Sequence, residues 1–177
     1  EKRSRRLDQR QKIRSRANGY DVNLPVHETL AGEYRYEWDD NYGRPTCAEG
    51  WLKLGPGESA HGIAKRGKEG LDRSHLIGAQ FSGVGDQRNL VYAKARANNS
   101  YIGSYERGLA ESLKRGDEIY LRVRVEYQGQ DCTPSKVHYD EYRREKGEVK
   151  FKGTNTYVLT GEYRQTLGDV VREPMKY

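Results

Sequence analysis

Alternation of apolar and charged side chains along the chain indicates β-strands. It is clearest at residues 118–127, EIYLRVRVEY, where every second residue is apolar and most of the others are charged. Side chains of a strand point alternately to its two faces, so this pattern predicts a strand with one buried face. Residues 33–39, EYRYEWD, alternate in the same way and place Tyr34, Tyr36 and Trp38 on one face.

Turn residues divide the chain between further strands. The sequence NYGRP at residues 41–45 contains turn-forming Asn, Gly and Pro, and residues 46–54 have the character of a return strand. Together with residues 33–39 they predict a hairpin. Two later strands are predicted at residues 137–142 and 156–160, separated by a polar stretch, 143–153.

The spacing of apolar residues changes at residues 98–115, where one helix is predicted. Asn98, Asn99 and Ser100 can cap its start, and Gly116 can end it. The glycine-rich residues 55–70 are expected to form an exposed connection. Strands on both sides of one helix predict an α+β fold with a central antiparallel sheet and leave room for a β-β-α unit. The apolar residues recur three and four positions apart, at Ile102, Tyr105, Leu109 and Leu113.

The length and composition fit one folded domain preceded by a basic segment. A chain of 177 residues can bury a substantial core, and 14 Tyr and 2 Trp compensate for a hydrophobic share of only 34%. We assign residues 19–177 to the domain. Residues 1–18 form a basic segment that is expected to be flexible, serving either as a solvated linker or as a phosphate-binding arm.

The net charge does not identify a binding partner. It is +6, but residues 1–16 carry eight basic and two acidic residues and therefore hold all of this excess. The remaining residues contain 24 basic and 24 acidic side chains. The charge of the folded part is therefore no evidence for nucleic-acid binding, and local clusters have to supply that evidence.

The sequence excludes several other classes of protein. No stretch approaches the roughly 20 apolar residues of a membrane span, and no apolar segment follows the basic start as in a signal peptide. Neither membrane association nor a signal peptide is therefore expected. Cys47 and Cys132 can form one disulfide or remain buried thiols, and they lack the CxxC spacing of structural zinc sites.

The candidate catalytic and metal-binding residues lie between positions 72 and 106. The tetrad Asp72-Arg73-Ser74-His75 places a histidine, which can accept a proton near neutral pH, next to an arginine, which can bind phosphate. Asn98 and Asn99 can offer amide oxygens to a hard cation. An activated water, a cation and an arginine are what hydrolysis of a phosphodiester requires. Singly, each residue also has a structural interpretation, as a helix cap or a solvated side chain.

The order of these residues resembles the DNA/RNA non-specific endonuclease family, a group of ββα-metal or His-metal finger nucleases with an Asp-Arg-Gly-His tetrad and an Asn-bearing helix. It is most similar to the branch found as C-terminal toxin domains of bacterial secreted proteins. Residues 34–39 and 43–45 resemble the strand and turn that precede the tetrad in that branch, so the resemblance covers roughly residues 30–127. The matching segments within the site are His75-Leu76-Ile77, Gly83-Val84-Gly85-Asp86, Asn89-Leu90-Val91, Asn98 and Glu106.

The resemblance implies a role for each matched residue. His75 would be the general base, Arg73 a phosphate clamp, and Glu106 a helix residue that holds metal-bound water. Asn89 would fix the loop or orient the site. The metal, Mg²⁺ with Mn²⁺ or another divalent cation as a substitute, would bind Asn98, with Asn99 as the alternative. Two further residues have weaker assignments, a second phosphate contact for Arg44 and support of the tetrad for Asp72.

The resemblance further implies that DNA and RNA are substrates, that cleavage leaves a 5′-phosphate, and that the protein is delivered into the cytoplasm of a target cell. A cognate immunity protein would then block the site.

The sequence departs from the family at Ser74, where the tetrad has Gly, and after Asn98, where a Gly is missing. Two alternatives therefore remain, a catalytically inactive nucleic-acid-binding module of the same fold and a purely structural or interaction domain.

Overall fold

A computed structural model describes residues 26–40, 42–61, 71–94, 102–131 and 133–158. Seven strands, one α-helix and one short 3₁₀ turn lie in these ranges. In chain order they are β1 (Arg35–Trp38), β2 (Pro45–Trp51), β3 (Leu71–His75), the 3₁₀ turn Gln87–Asn89, β4 (Leu90–Lys94), α1 (Gly103–Lys114), β5 (Glu118–Glu126), β6 (Lys136–Glu145) and β7 (Glu148–Val158). None of the helices in these ranges is long and apolar enough to cross a membrane.

Five of the strands form one antiparallel sheet in the order β1-β2-β5-β6-β7. The predicted hairpin of β1 and β2 is confirmed, and Tyr34 and Tyr36 pack against the core as the alternation predicts. Trp38 departs from the pattern and is 43% exposed. The register shifts between Glu37 and Trp38, and such a bulge turns the next side chain away from its expected face.

The polar stretch at residues 143–153 is not a separator between two short strands, because most of it is paired. β6 extends to Glu145 and β7 starts at Glu148. Only Lys146 and Gly147 lie between them, both with positive φ, 50° and 76°. That conformation at both central positions suits a two-residue hairpin turn. Strand pairing uses backbone groups, so polar side chains do not prevent it, and apolar periodicity therefore missed these residues.

β3 and β4 pair with each other in a separate two-stranded sheet, and α1 follows them, which completes a β-β-α unit. The helix begins at Gly103, after Ile102, and the cap residues predicted at 98–100 lie outside the described part of the chain. Its end agrees with the sequence, since Gly116 follows with a φ of 92°. Glycine adopts this left-handed conformation without steric cost.

The main core lies between the β-β-α unit, which includes α1, and one face of the large sheet. Ile102 and Leu109 of the helix region are 2% exposed and join the apolar face of β5. The predicted alternation of β5 is thereby confirmed. The residues of β5 in this core are Ile119, Leu121, Val123 and Val125.

The opposite face of the large sheet, called the second face below, holds charged pairs as well as aromatic rings. Glu49 accepts hydrogen bonds from Arg122 Nε at 3.0 Å and from the Tyr120 hydroxyl at 2.7 Å. Asp140, which is fully buried, accepts from Arg124 Nε at 2.7 Å. Burial raises the pKa of Glu49, but hydrogen bonds from Arg122 and Tyr120 outweigh it, so this pKa lies below its ordinary value.

Cys47 lies beside this network as a free, buried thiol, and its sulfur donates to Glu49 Oε2. Cys132 lies outside the described residues. For Cys47 the structure therefore favours the buried thiol over the disulfide, and the state of Cys132 stays a prediction.

Candidate active site

The tetrad 72–75 forms most of β3. The alternation of side chains along this strand places the candidate catalytic residues on a different face from Ser74. Arg73 pairs with Tyr92 and His75 with Leu90, while Ser74 pairs with Val91. Side chains two residues apart share a face of a strand, so Arg73 and His75 lie on one face and Ser74 on the other. The side chain of Asp72 is exposed.

Ser74 replaces the glycine of the family tetrad without disturbing the strand. Its side chain is 2% exposed and lies on the same face as Val91, which belongs to the core. Within the described residues, Ser82 and Lys146 alone among non-glycine residues have a positive φ. The backbone at Ser74 therefore does not require glycine, and its Cβ is accommodated.

His75 is held by a backbone carbonyl from a segment that precedes it in the chain. Its Nε2 lies 2.8 Å from the carbonyl oxygen of Glu58. A carbonyl oxygen only accepts hydrogen bonds, so Nε2 carries the hydrogen and, in the neutral ring, Nδ1 has the free electron pair. The contact therefore leaves Nδ1 able to accept a proton.

Residues 55–61, which supply this carbonyl, lie alongside the turn after His75. Gly55 forms a parallel bridge with Phe81, and the Glu58 and His61 amides donate to the carbonyls of Gly83 and Gly85 at 2.9 and 2.8 Å. Close approach of the two segments requires glycine. A Cβ at Gly85 would lie 1.9 Å from the Ser59 carbonyl oxygen. Residues 55–61 of the connection predicted to be exposed are thus part of the site, and residues 62–70 lie outside the described part of the chain.

Asn89 fixes the turn from the opposite side. It is fully buried, and its amide oxygen accepts from the Ile77 N–H at 2.8 Å. Its amide nitrogen donates to the carbonyls of Ile77 and Val84, each at 2.8 Å. Its own backbone carbonyl accepts from the Leu76 N–H. These bonds hold the chain immediately after His75, which supports the loop-fixing role predicted for Asn89.

Glu106, in the first turn of α1, brings a carboxylate to the same turn. A Cβ at Gly78 would lie 3.3 Å from a Glu106 carboxylate oxygen, so the carboxylate reaches the backbone three residues beyond His75. Burial raises the pKa of Glu106 to about 7, and a hydrogen bond from Gln80 Nε2 at 3.4 Å opposes this only weakly. Glu106 is therefore a poorly solvated carboxylate rather than an ordinary surface residue.

Arg44 is held in a way that argues against its predicted phosphate contact. Its Nε donates to Asp39 at 2.6 Å, and its Nη1 donates to the carbonyls of Gly129 and Asp131 at 2.9 and 2.8 Å. Its guanidinium also lies over the rings of Tyr42 and Tyr127, 4.8 and 4.4 Å from their centroids. These contacts tie the β1–β2 turn to the segment after β5, which favours a structural role.

No sequence pattern selects Glu58 or Gln80, although both contact predicted site residues. The contribution of Glu58 to His75 is a backbone carbonyl, which every residue type carries and no motif reveals. The predicted metal ligand Asn98 and its alternative Asn99 lie outside the described residues. Within the part of the chain that the structure describes, no three His, Cys, Asp or Glu side chains cluster as metal ligands.

A β-β-α unit with a histidine at the end of its first strand and a carboxylate at the start of its helix is the arrangement of the ββα-metal nucleases. Residues 25–143, more than half of the chain, match the family described as DNA/RNA non-specific endonuclease. The chain therefore belongs to this family and is a nuclease by class.

Solved structures show the same fold. An extracellular nuclease aligns with a TM-score of 0.56 and 19% identity over 80% of this chain and 92% of its own. An extracellular endonuclease aligns with a TM-score of 0.55 and 18% identity over 78% of this chain and 84% of its own. The Sda1 nuclease with bound zinc ion aligns with a TM-score of 0.56 and 18% identity over 73% of this chain and 74% of its own.

Proposed function

We propose that the chain is a metal-dependent endonuclease that hydrolyses phosphodiester bonds of DNA and RNA with little sequence preference, using His75 as general base. The observation that carries this proposal is the 2.8 Å contact between His75 Nε2 and the Glu58 carbonyl oxygen. It orients the ring and leaves Nδ1 as the acceptor for a proton from water.

In the proposed reaction, Nδ1 of His75 takes a proton from a water molecule whose oxygen attacks phosphorus. The bond from phosphorus to the 3′ oxygen breaks, which leaves a 5′-phosphate and a 3′-hydroxyl after protonation. Arg73 lies on the same face of β3 as His75, and we assign it to the non-bridging phosphate oxygens. Contacts of this kind bind the backbone of nucleic acid and do not read bases.

Of the residues predicted to hold the metal, Glu106 is the one within the described ranges, and its surroundings suit a nearby divalent cation. Glu106 is a poorly solvated carboxylate with a weak hydrogen bond, and a nearby positive charge would stabilise its ionised form. Mg²⁺ usually keeps several waters and takes one or two protein ligands, so Asn98, or Asn99 in its place, with Glu106 holding metal-bound water is a sufficient set. Bound there, Mg²⁺ or Mn²⁺ would neutralise charge on the phosphate and the departing oxygen.

We further propose that the domain is the toxin part of a secreted bacterial effector, which acts in the cytoplasm of a target cell and is blocked by an immunity protein in the producing cell. The support is the sequence resemblance of residues 30–127 to that branch of the family. Growth of bacteria that express the domain alone, compared with the His75→Ala variant, tests this role. Harmless expression of an active domain would contradict it.

The nuclease proposal is tested by incubating supercoiled plasmid, and separately structured RNA, with the purified protein in Mg²⁺ or excess EDTA. His75→Ala should reduce cleavage at least about 100-fold, the usual contribution of a general base. His138→Ala is the matched control, because His138 lies on the second face and bonds Glu126 and Thr156. It should cleave like the wild type.

The absence of cleavage by a folded wild type in Mg²⁺, Mn²⁺, Ca²⁺ and Zn²⁺ would overturn the enzymatic proposal. Tight nucleic-acid binding in that case would identify a binding module of the same fold. The absence of any salt-dependent binding would identify a structural domain.

A further inference from the structure

Glu58 contacts the site twice, through its backbone and through its side chain. Its carbonyl oxygen accepts from His75 Nε2 at 2.8 Å, and its carboxylate Oε1 accepts from the backbone N–H of Gly85 at 2.9 Å. Its own N–H donates to the Gly83 carbonyl at 2.9 Å. One residue thus joins the histidine to the turn that follows it in the chain.

The side-chain bond adds to the backbone hydrogen bonds on either side of Glu58, in which the amides of Glu58 and His61 donate to the carbonyls of Gly83 and Gly85. Residues 55–61 form a single isolated bridge, at Gly55, rather than a strand ladder. The side chains of residues 57–59 are exposed, so hydrogen bonds and close backbone contact, rather than side-chain packing, hold this segment. A carboxylate bonded to a backbone N–H is a charge-assisted hydrogen bond, which is stronger than one between neutral groups.

The glycines opposite Glu58 show that the two segments meet at a fixed distance. A Cβ at Gly57 would lie 2.4 Å from the Gly83 carbonyl oxygen. A Cβ at Gly85 would lie 1.9 Å from the Ser59 carbonyl oxygen. Contact on both sides of Glu58 therefore leaves little freedom for its carbonyl while the carboxylate remains bonded to Gly85.

We infer that Glu58 is a positioning residue for His75, whose carboxylate fastens residues 55–61 to Gly85 so that its own carbonyl fixes the Nε2–H form of the His75 ring. The inference rests on the proposed function, because the fixed ring form matters for catalysis only if His75 is the general base. Partners that orient metal-ligating histidines contribute about 10-fold to 100-fold to metal affinity or activity, and we expect an effect at the lower end of that range for the general base.

The test compares Glu58→Ala with Glu58→Gln, in which an amide oxygen still accepts from Gly85. Glu111→Ala is the control, because Glu111 is an exposed glutamate on α1 that pairs with Lys114. The ring nitrogens of His75 are observed by ¹⁵N NMR over a series of pH values and are assigned by their loss in His75→Ala. Values of kcat and KM are measured on plasmid DNA, and Tm is measured for each variant.

The wild type, Glu58→Gln and Glu111→Ala should show one ring form, with hydrogen on Nε2. Glu58→Ala should show the averaged nitrogen shifts of both forms, with kcat about 10-fold lower and KM within about twofold. An unchanged Glu58→Ala ring spectrum would overturn the inference, whatever happens to Tm. If the wild type does not cleave DNA, the proposed function fails, and the ring spectra still decide whether Glu58 positions His75.

Discussion

The carboxylate of Glu106 lies against the backbone of Gly78, so that even a single side-chain carbon at residue 78 would come within 3.3 Å of a carboxylate oxygen. The helix and the turn after β3 therefore meet at this point without an intervening side chain. Glycine at residue 78 leaves space beside the carboxylate, and burial there raises its pKa to about 7.

Glu106→Gln should flatten the dependence of stability on pH. In the unfolded chain this carboxyl ionises near 4.5, whereas in the fold it keeps its proton to about pH 7. Its contribution to stability is therefore complete below pH 4.5 and is lost as the pH rises to about 7. The wild type should lose about 2 kcal/mol more than the variant over this interval. Thermal unfolding in EDTA measures this difference, and parallel curves for the two proteins would contradict the prediction.

Gly83→Ala should destabilise the turn after His75 and reduce cleavage. The new Cβ would lie 2.0 Å from the carbonyl oxygen of Ile77, a backbone atom that cannot rotate away. A loss of about 2 kcal/mol is expected for such overpacking. Gly108→Ala in α1 is the matched control, because a Cβ there meets nothing within 4 Å. It should raise stability by about 0.5–1 kcal/mol. Urea unfolding and plasmid nicking of both variants test the pair.

Asn89→Ala should destabilise the protein by about 3 kcal/mol. The substitution leaves the Ile77 N–H and the carbonyls of Ile77 and Val84 without their side-chain partner. Each unsatisfied buried group costs about 1–3 kcal/mol, partly relieved by entering water. Asn89→Asp should not restore stability, since a carboxylate cannot donate to the two carbonyls. Chemical denaturation of both variants provides the measurement, and a wild-type midpoint for Asn89→Asp would show that the donors are unimportant.

Arg44→Gln should lower Tm while leaving the catalysis of the folded enzyme unchanged. It removes the bonds to Asp39, Gly129 and Asp131. A phosphate contact would behave differently, because its loss reduces the slope of log affinity against log salt by about 1. Arg73→Gln serves as the comparison and should reduce that slope. A reduced slope for Arg44→Gln would restore its predicted role in substrate binding.

The sequence predicted the elements whose side chains repeat with a clear period. The alternation in β5 and the spacing of apolar residues in α1 reflect burial on one face, and burial is a property of side chains. The β6–β7 hairpin escaped notice because its pairing depends on the backbone and on positive φ at Lys146 and Gly147. Trp38 does not lie on the face that the alternation predicts, because a bulge shifts the register after Glu37. Sequence composition does not reveal such a local shift.

The same distinction applies to the site. The sequence predicted four site residues because their side chains match a motif: Arg73, His75, Asn89 and Glu106. The partner of His75 was not predicted, because it is the main-chain oxygen of Glu58, 17 residues earlier in the chain. Arg44 is the opposite case, because its residue type suggested a phosphate contact that its bonds in the structure argue against. An arginine near a turn suits phosphate by chemistry, but only the folded structure shows that Asp39 and two carbonyls accept hydrogen bonds from three of its five N–H groups.

The charged pairs of the second face also bear on how a nucleic acid meets the protein. Arg122 and Arg124 each have a carboxylate oxygen within 3.0 Å, so opposite charges cancel over a distance much shorter than the roughly 8 Å at which physiological salt screens a field. We therefore expect a polyanion to gain little attraction from these two pairs. The two pairs thus link neighbouring strands of the sheet while their positive charges are neutralised locally.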